Sequence, residues 1–372
     1  MFLPLPTTLL TTITSILLLT PPTTPYKPLS PSFLRAIPSP AHTLDAHNST
    51  LLSPLLIPRV PGTPGQTTAQ NHLSTFFRTH LPTWTLTWQN STSTTPLSAG
   101  AQVPFANLIA RREPPWVSEG QANYLTLAAH YDSKFFAADE GTFVGATDSA
   151  APCAMLLHIA RVLEPHLARM YEEMSALGEG GEVDMDMGVQ MLFLDGEEAW
   201  GEWSGEDSLY GSRALATHWQ SHPNPLPQTS KFYKNQTPLS QISLFLLLDL
   251  LGSANPTVPS YYPTTHWAYL HLSRLETRLR SLNLLESNPP TPFLPDVNMT
   301  MGTNGVEDDH LPFLQRGVEV LHVIPNPFPE VWHTVRDDGG HLDGRTVRDW
   351  ARILGAFALE WLDMMEVWDE PE

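Results

Sequence analysis

Four short, mostly apolar runs in this sequence stop at residues that can bind a metal or move a proton. Leu192-Phe193-Leu194 runs into Asp195-Gly196-Glu197-Glu198, and Leu125 to Ala129 runs into His130-Tyr131-Asp132. Leu244 to Leu248 runs into Asp249, and Val318 to Ile324 leads through a proline-rich loop to Trp332-His333. Zinc accepts imidazole and carboxylate ligands, and a catalytic zinc needs three protein ligands with a further position open. A carboxylate beside such a site can serve as general acid or base. On a strand end, adjacent Glu197 and Glu198 would point in opposite directions, so one could bind metal while the other faces the substrate. Taken singly, each candidate has a plainer reading. Asp148 could be a helix N-cap, and His130-x-Asp132 a local hydrogen-bonded turn. Glu197-Glu198 and Asp308-Asp309-His310 could be solvated loops, and Trp332 could cover the core edge. Asp249 is different, because a carboxylate ending so apolar a run needs a partner. Taken together, the plain readings require every one of these positions to be incidental.

The elements that must hold these residues follow from hydrophobic periodicity. Short apolar runs read as strands buried on both faces. In open α/β sheets, ligands bind beyond the carboxyl ends of such strands. Strands are expected over 84–88, 103–111, a run ending at His130, 188–194, 242–248 and 318–323. Helices are expected over 67–81, 148–163 (capped at Asp148 or Ser149), 211–220, 270–285 and 344–368. Strands alternate with helices, which gives an α/β fold with parallel pairing and a helix-covered sheet.

The chain of 372 residues can hold one large domain or two small ones. Net charge is −19 and no Lys/Arg-rich run occurs, so nucleic acid is excluded as a partner. Glu172-Glu173 and the 179–186 stretch read as an acidic solvated insert. Residues 1–20 form a signal-like apolar segment. No Lys or Arg precedes its apolar run, and Pro4 and Pro6 oppose a helix start, so an uncleaved anchor is the second reading. Residues 21–66 read as a Pro/Thr-rich linker and lead-in, and 67–372 as one catalytic domain. Four sequons, at Asn48, Asn90, Asn235 and Asn298, suggest the secretory pathway. Cys153 is the only cysteine, so no intrachain disulfide can form.

Longer blocks make the sequence recognisable. They are His130-Tyr131-Asp132-Ser133-Lys134, Phe143-Val144-Gly145-Ala146-Thr147-Asp148-Ser149-Ala150, Asp195-Gly196-Glu197-Glu198-Ala199, Trp203-Ser204 with Asp207 to Arg213, Leu248-Asp249-Leu250, Asp308-Asp309-His310, and Pro325 to Thr334. In this order, from about residue 70 to the C-terminus, the chain resembles the glutaminyl-peptide cyclotransferases, zinc enzymes related to the M28 aminopeptidases. The resemblance implies a mixed, largely parallel sheet flanked by helices, as in the zinc aminopeptidases. It implies one zinc per chain on Asp148, Glu198 and His333. Glu197 matches the general acid/base, Asp249 and Asp308 the carboxylates around it, and Trp203, Phe328 and Trp332 the aromatic walls of the substrate pocket. His130 matches a second-metal ligand of the aminopeptidase relatives. Two departures stand out. Ala129 replaces a cysteine that would pair with Cys153, which leaves Cys153 a buried thiol. Glu307 replaces a frequent Gln, and so adds negative charge near the pocket or points away from it.

The implied substrate is a peptide or protein with N-terminal Gln, cyclised to pyroglutamate with release of ammonia by a monomer. Glu197 would need a raised pKa, which neighbouring Asp249 and Asp308 would favour. The rival enzyme is a two-zinc aminopeptidase, with His130, Asp148 and Asp249 around the first metal and Asp148, Glu198 and His333 around the second. A scaffold that had lost catalysis should also have lost one of Glu197, Asp148, Glu198 or His333, and none is lost.

Overall fold

The computed structural model describes residues 28–178, 186–225, 237–295 and 305–362. The signal-like segment, the sequons at Asn235 and Asn298 and most of the acidic 179–186 stretch lie outside them. Short apolar runs, with one alternating run at the edge, give six strands: β1 (Thr85–Ser93), β2 (Val103–Arg112), β3 (Asn123–His130), β4 (Met187–Leu194), β5 (Ile242–Leu248) and β6 (Val320–Val323). They form one sheet in the order β1-β2-β4-β3-β5-β6. The β4-β3-β5-β6 block is parallel, and β2 and β1 add antiparallel at one edge. The sheet is therefore mixed and largely parallel, as expected.

Alternation along each strand feeds two apolar layers. Leu244, Leu246 and Leu248 of β5 pack into the larger one, together with α2 (Pro64–His80), α3 (Ala151–Leu177), α5 (His266–Ser281) and α7 (Gly344–Trp361). Phe245 and Leu247 pack into the smaller one, with α4 (Tyr210–Ser221) and α6 (Leu311–Leu314). The 28–66 stretch, read from sequence as linker and lead-in, carries the short helix α1 (Pro31–Ala36). It also buries Leu29, Leu34, Leu44, Leu51, Leu52 and Leu55 in the larger layer. Its prolines break regular structure but leave these leucines free to pack.

Helix α3 departs from expectation at both ends. Asp148 is not an N-cap. It and Ser149 have non-helical backbone (φ −117°, ψ 75° and φ −129°, ψ 46°) in a wide turn, and regular helix begins at Ala151. At the far end, Glu172 and Glu173 belong to the helix rather than to a loop. Leu167 and Tyr171 are buried there, and Tyr171 packs edge-on against Trp116 and donates to the Met187 carbonyl at 3.0 Å. Apolar anchoring thus overrides the local acidity. The charges meet solvent, with Arg169 Nε paired to Glu173 one turn on.

Candidate metal and active site

Because β3, β4, β5 and β6 are parallel, their carboxyl ends open on one edge of the sheet. His130 ends β3, Glu197-Glu198 follow β4 and Asp249 follows β5. The loop after β6 returns to His333. Asp148 arrives from the turn before α3, and its peptide bond to Ser149 is cis. Strand alternation does not separate the two glutamates as expected, because β4 ends at Leu194 and they sit in a turn. Gly196 makes that turn possible. Its φ is +70°, and a Cβ there would lie 2.3 Å from the Phe105 ring. The Asp132 carboxylate then fixes both glutamates, accepting the amide of Glu197 at 3.1 Å and that of Glu198 at 3.3 Å.

His333 Nε2 lies 3.3 Å from Glu198 Oε2 and 3.4 Å from Asp148 Oδ2. One ligand atom from each of Asp148, Glu198 and His333 falls within 4.8 Å of the others. Asp148 Oδ2 and Glu198 Oε1 are buried without a hydrogen-bond partner. Buried carboxylate oxygens rarely go unpaired, and a cation among three such donors satisfies them. The set fits zinc. A second group, His130, Asp148 and Asp249, also gathers within that limit. Its atoms are already engaged with one another. His130 Nε2 meets Asp148 Oδ1 at 3.0 Å and Asp249 Oδ1 at 3.4 Å, and its Nδ1 faces Asp132. Asp249 Oδ1 also accepts from Ser149 Oγ and the Leu250 amide.

Glu197 is buried but on the pocket wall. Burial is the largest cause holding its carboxyl well above the usual carboxylate range. The charges of Glu198, Asp308 and Asp309 push the same way, and His130 opposes. Asp308 therefore acts on it as expected, while Asp249 is not among the main causes. Burial also lifts Asp249, to about 6, with Asp308 adding to the effect. For Asp308, burial is outweighed by the hydrogen bond and charge of His322, and its pKa falls. His322 Nε2 sits 2.7 Å from Asp308 Oδ2. These causes push neighbouring carboxyls apart, as acid and base roles require.

The pocket above has a volume of about 490 Å³. Trp203, Phe328 and Trp332 line it together with Asp148, Glu197, Glu198, Asp249 and His333. Trp332 stacks on the His333 ring at 4.0 Å and meets Phe328 edge-on at 4.9 Å. Asp308 lies behind this surface rather than on it, buried against His322. Glu307 lines the pocket and does not point away. Cys153 is a buried free thiol that donates to the His130 carbonyl at 3.1 Å.

Residues 107–358 match Peptidase family M28. The chain is 42% identical over 323 residues to a glutaminyl-peptide cyclotransferase-like protein of Bos taurus, covering 86% of this chain and 77% of that one. It is 39% identical over 315 residues to the glutaminyl-peptide cyclotransferase of the same organism, covering 84% and 81%. The chain belongs to the glutaminyl-peptide cyclotransferases of peptidase family M28. Its fold superposes on the glutaminyl cyclase of Macrostomum lignano with a TM-score of 0.72 at 29% identity, covering 91% of this chain and 94% of that one. A leucine aminopeptidase precursor of Bacteroides thetaiotaomicron shares the fold at 20% identity and a TM-score of 0.56, covering 86% and 98%. Membership makes this chain an enzyme of a zinc-dependent family.

Sequence reasoning missed two supports of this candidate site. His322 lies inside β6, where it reads as one more strand position. Arg59 lies in the supposed lead-in, yet it is fully buried and donates to the carbonyls of Leu55, Ile57, Tyr131, Asp132, Val144 and Gly145. It ties together the loops that carry His130, Asp132 and Asp148. A lone arginine among prolines carries no signal of that role.

Proposed function

We propose that this protein cyclises the N-terminal glutamine of peptides and proteins to pyroglutamate, acting as a monomer with one zinc on Asp148, Glu198 and His333. The observation that carries the reading is the meeting of His333 with two buried carboxylate oxygens that lack a hydrogen bond, beneath an aromatic-walled pocket. The names of the relatives point to the same reaction. Zinc bound there would polarise the side-chain amide carbonyl as a Lewis acid. The substrate α-amine attacks that carbonyl carbon, the new C–N bond closes the ring, and the amide nitrogen leaves as ammonia. Glu197 takes the proton from the amine and returns it to the leaving nitrogen, and its raised pKa suits both steps. Asp308 adds negative charge around it, and Asp249 lines the same pocket. Trp203, Phe328 and Trp332 hold the glutamine side chain folded onto its own amine, a proximity effect, and exclude the water a peptidase would need. All these residues come from one chain.

Counting zinc in active protein tests the reading. One equivalent is expected, with His333→Ala losing metal and cyclisation together. Two equivalents, with His130→Ala losing one, would favour the aminopeptidase.

The same reading places the protein in the secretory pathway, secreted, or held by its N-terminal segment if that is uncleaved. Asn48 and Asn90 are exposed, as acceptor sites must be. Among the described residues no helix is long and apolar enough to cross a membrane. Expression in a eukaryotic host should give a mass shift removed by glycosidase. Unmodified protein in the cytosol would contradict this.

A further inference from the structure

The pocket takes the first residue of the substrate, but its rim must meet the second. For the α-amine to reach Glu197, the glutamine side chain fills the interior and the rest of the peptide leaves across the mouth. Trp203 and Trp332 stand at that mouth, each 38% exposed. Glu307 is exposed beside them, and Trp203 Nε1 donates to its Oε2 at 2.9 Å. That bond fixes a carboxylate next to an open indole ring. Among the described residues no Lys, Arg or His pairs with Glu307. Lys134, the lysine of the pocket lining, is turned inward, 3.4 Å from Glu198 Oε2 and 3.0 Å from the Ala199 carbonyl. The rim therefore carries a negative charge that no cation among the described residues pairs with.

We propose that Glu307 and Trp203 form a subsite that selects substrates with a cationic side chain, Lys or Arg, directly after the N-terminal glutamine. The cation lies on the indole face and sets its charge against the carboxylate. An acidic side chain at that position meets a like charge and is disfavoured. The whole-chain charge of −19 acts in the same sense but at longer range, where salt screens it. The proposal rests on the cyclase reading only for the direction in which the peptide leaves the pocket.

The test compares Gln-Arg, Gln-Ala and Gln-Glu peptide amides as substrates. One exposed ion pair joined to one exposed cation–π contact predicts that kcat/KM for Gln-Arg exceeds that for Gln-Glu by about three- to twentyfold. The ratio should shrink between about 0.01 M and 1 M salt, as the screening length falls from roughly 30 to 3 Å. Glu307→Gln should lower it by the ion-pair part, leaving the residual preference of the Trp203 face, about two- to fivefold. Glu319→Gln, which removes one exposed charge at the far end of β6, should leave it in place. Binding of the same peptides to Glu197→Gln protein reads the preference without turnover. If that protein binds Gln-Arg best while the wild type cyclises none of the three, the cyclase reading falls and the subsite stands. An equal preference in the wild type and Glu307→Gln, or an equal loss in Glu319→Gln, overturns the subsite.

Discussion

Glu197 and Glu198 are neighbours in sequence for which we propose different chemical tasks, because their surroundings differ. Glu198 shares His333 with Asp148 and keeps one oxygen free for a metal. Glu197 has its amide held by Asp132 and its carboxyl kept protonatable by burial and by nearby negative charge. Glu197→Gln keeps the shape and removes the proton shuttle. It should retain zinc and fold, and lose cyclisation by about 10²–10⁴-fold. Bound zinc and Gln-peptide turnover, measured on one preparation, check this. Near-normal turnover with full zinc would remove Glu197 from the mechanism. Loss of zinc would mean that the roles of the two glutamates are exchanged.

At the scale of elements, the scaffold of the site depends on segments far from it in sequence. Motif spacing does not show this, but Glu360 near the end of α7 does. Its carboxylate accepts from Arg278 Nη1 at 2.6 Å, His271 Nε2 at 2.5 Å and the Leu29 amide at 2.8 Å. It thereby fastens α5 and the 28–36 stretch to α7. Burial alone would raise the Glu360 pKa, but these partners outweigh it and the pKa falls below its usual value of 4.5. A lowered carboxylate stabilises the fold above its unfolded pKa, and that contribution is lost as pH falls through the folded value. Glu360→Gln should therefore cost about 1–3 kcal/mol near neutrality. The gap to wild type should close as pH drops below about 4.5. Urea midpoints of both proteins at pH 7 and pH 4 measure it, and a gap that stays constant or widens in acid would contradict the role.

For the whole molecule, the proposed metal site joins separate stretches of chain, so its occupancy should register in global stability. A ligand that binds only the folded state adds about 4 kcal/mol at a thousandfold excess over its dissociation constant. Chelated protein should therefore melt several degrees lower, and zinc should restore the transition. His333→Ala should show no such zinc response, and an equal response in that variant would place the metal elsewhere. Much of this architecture was legible in the sequence. The runs ending at His130, Leu194 and Leu248 declared buried strands, because period and composition are local properties that the chain cannot hide. The motif blocks around Asp148, Glu197-Glu198 and His333 carried the candidate metal ligands and the candidate acid/base group. Their bonding could not be read, because it depends on which loops meet. Asp132 looked like half of a His-x-Asp pair, yet its carboxylate also clamps the turn that holds both glutamates. Asp148 looked like a helix cap, yet it lies in a non-helical turn drawn toward His333. Arg59 and His322 gave no signal, since an isolated polar residue takes its meaning from the carbonyls or carboxylate folded against it. Local periodicity determined the strands and their ends. Only the packing of distant segments decided which buried charges were paired and which were left without a hydrogen bond.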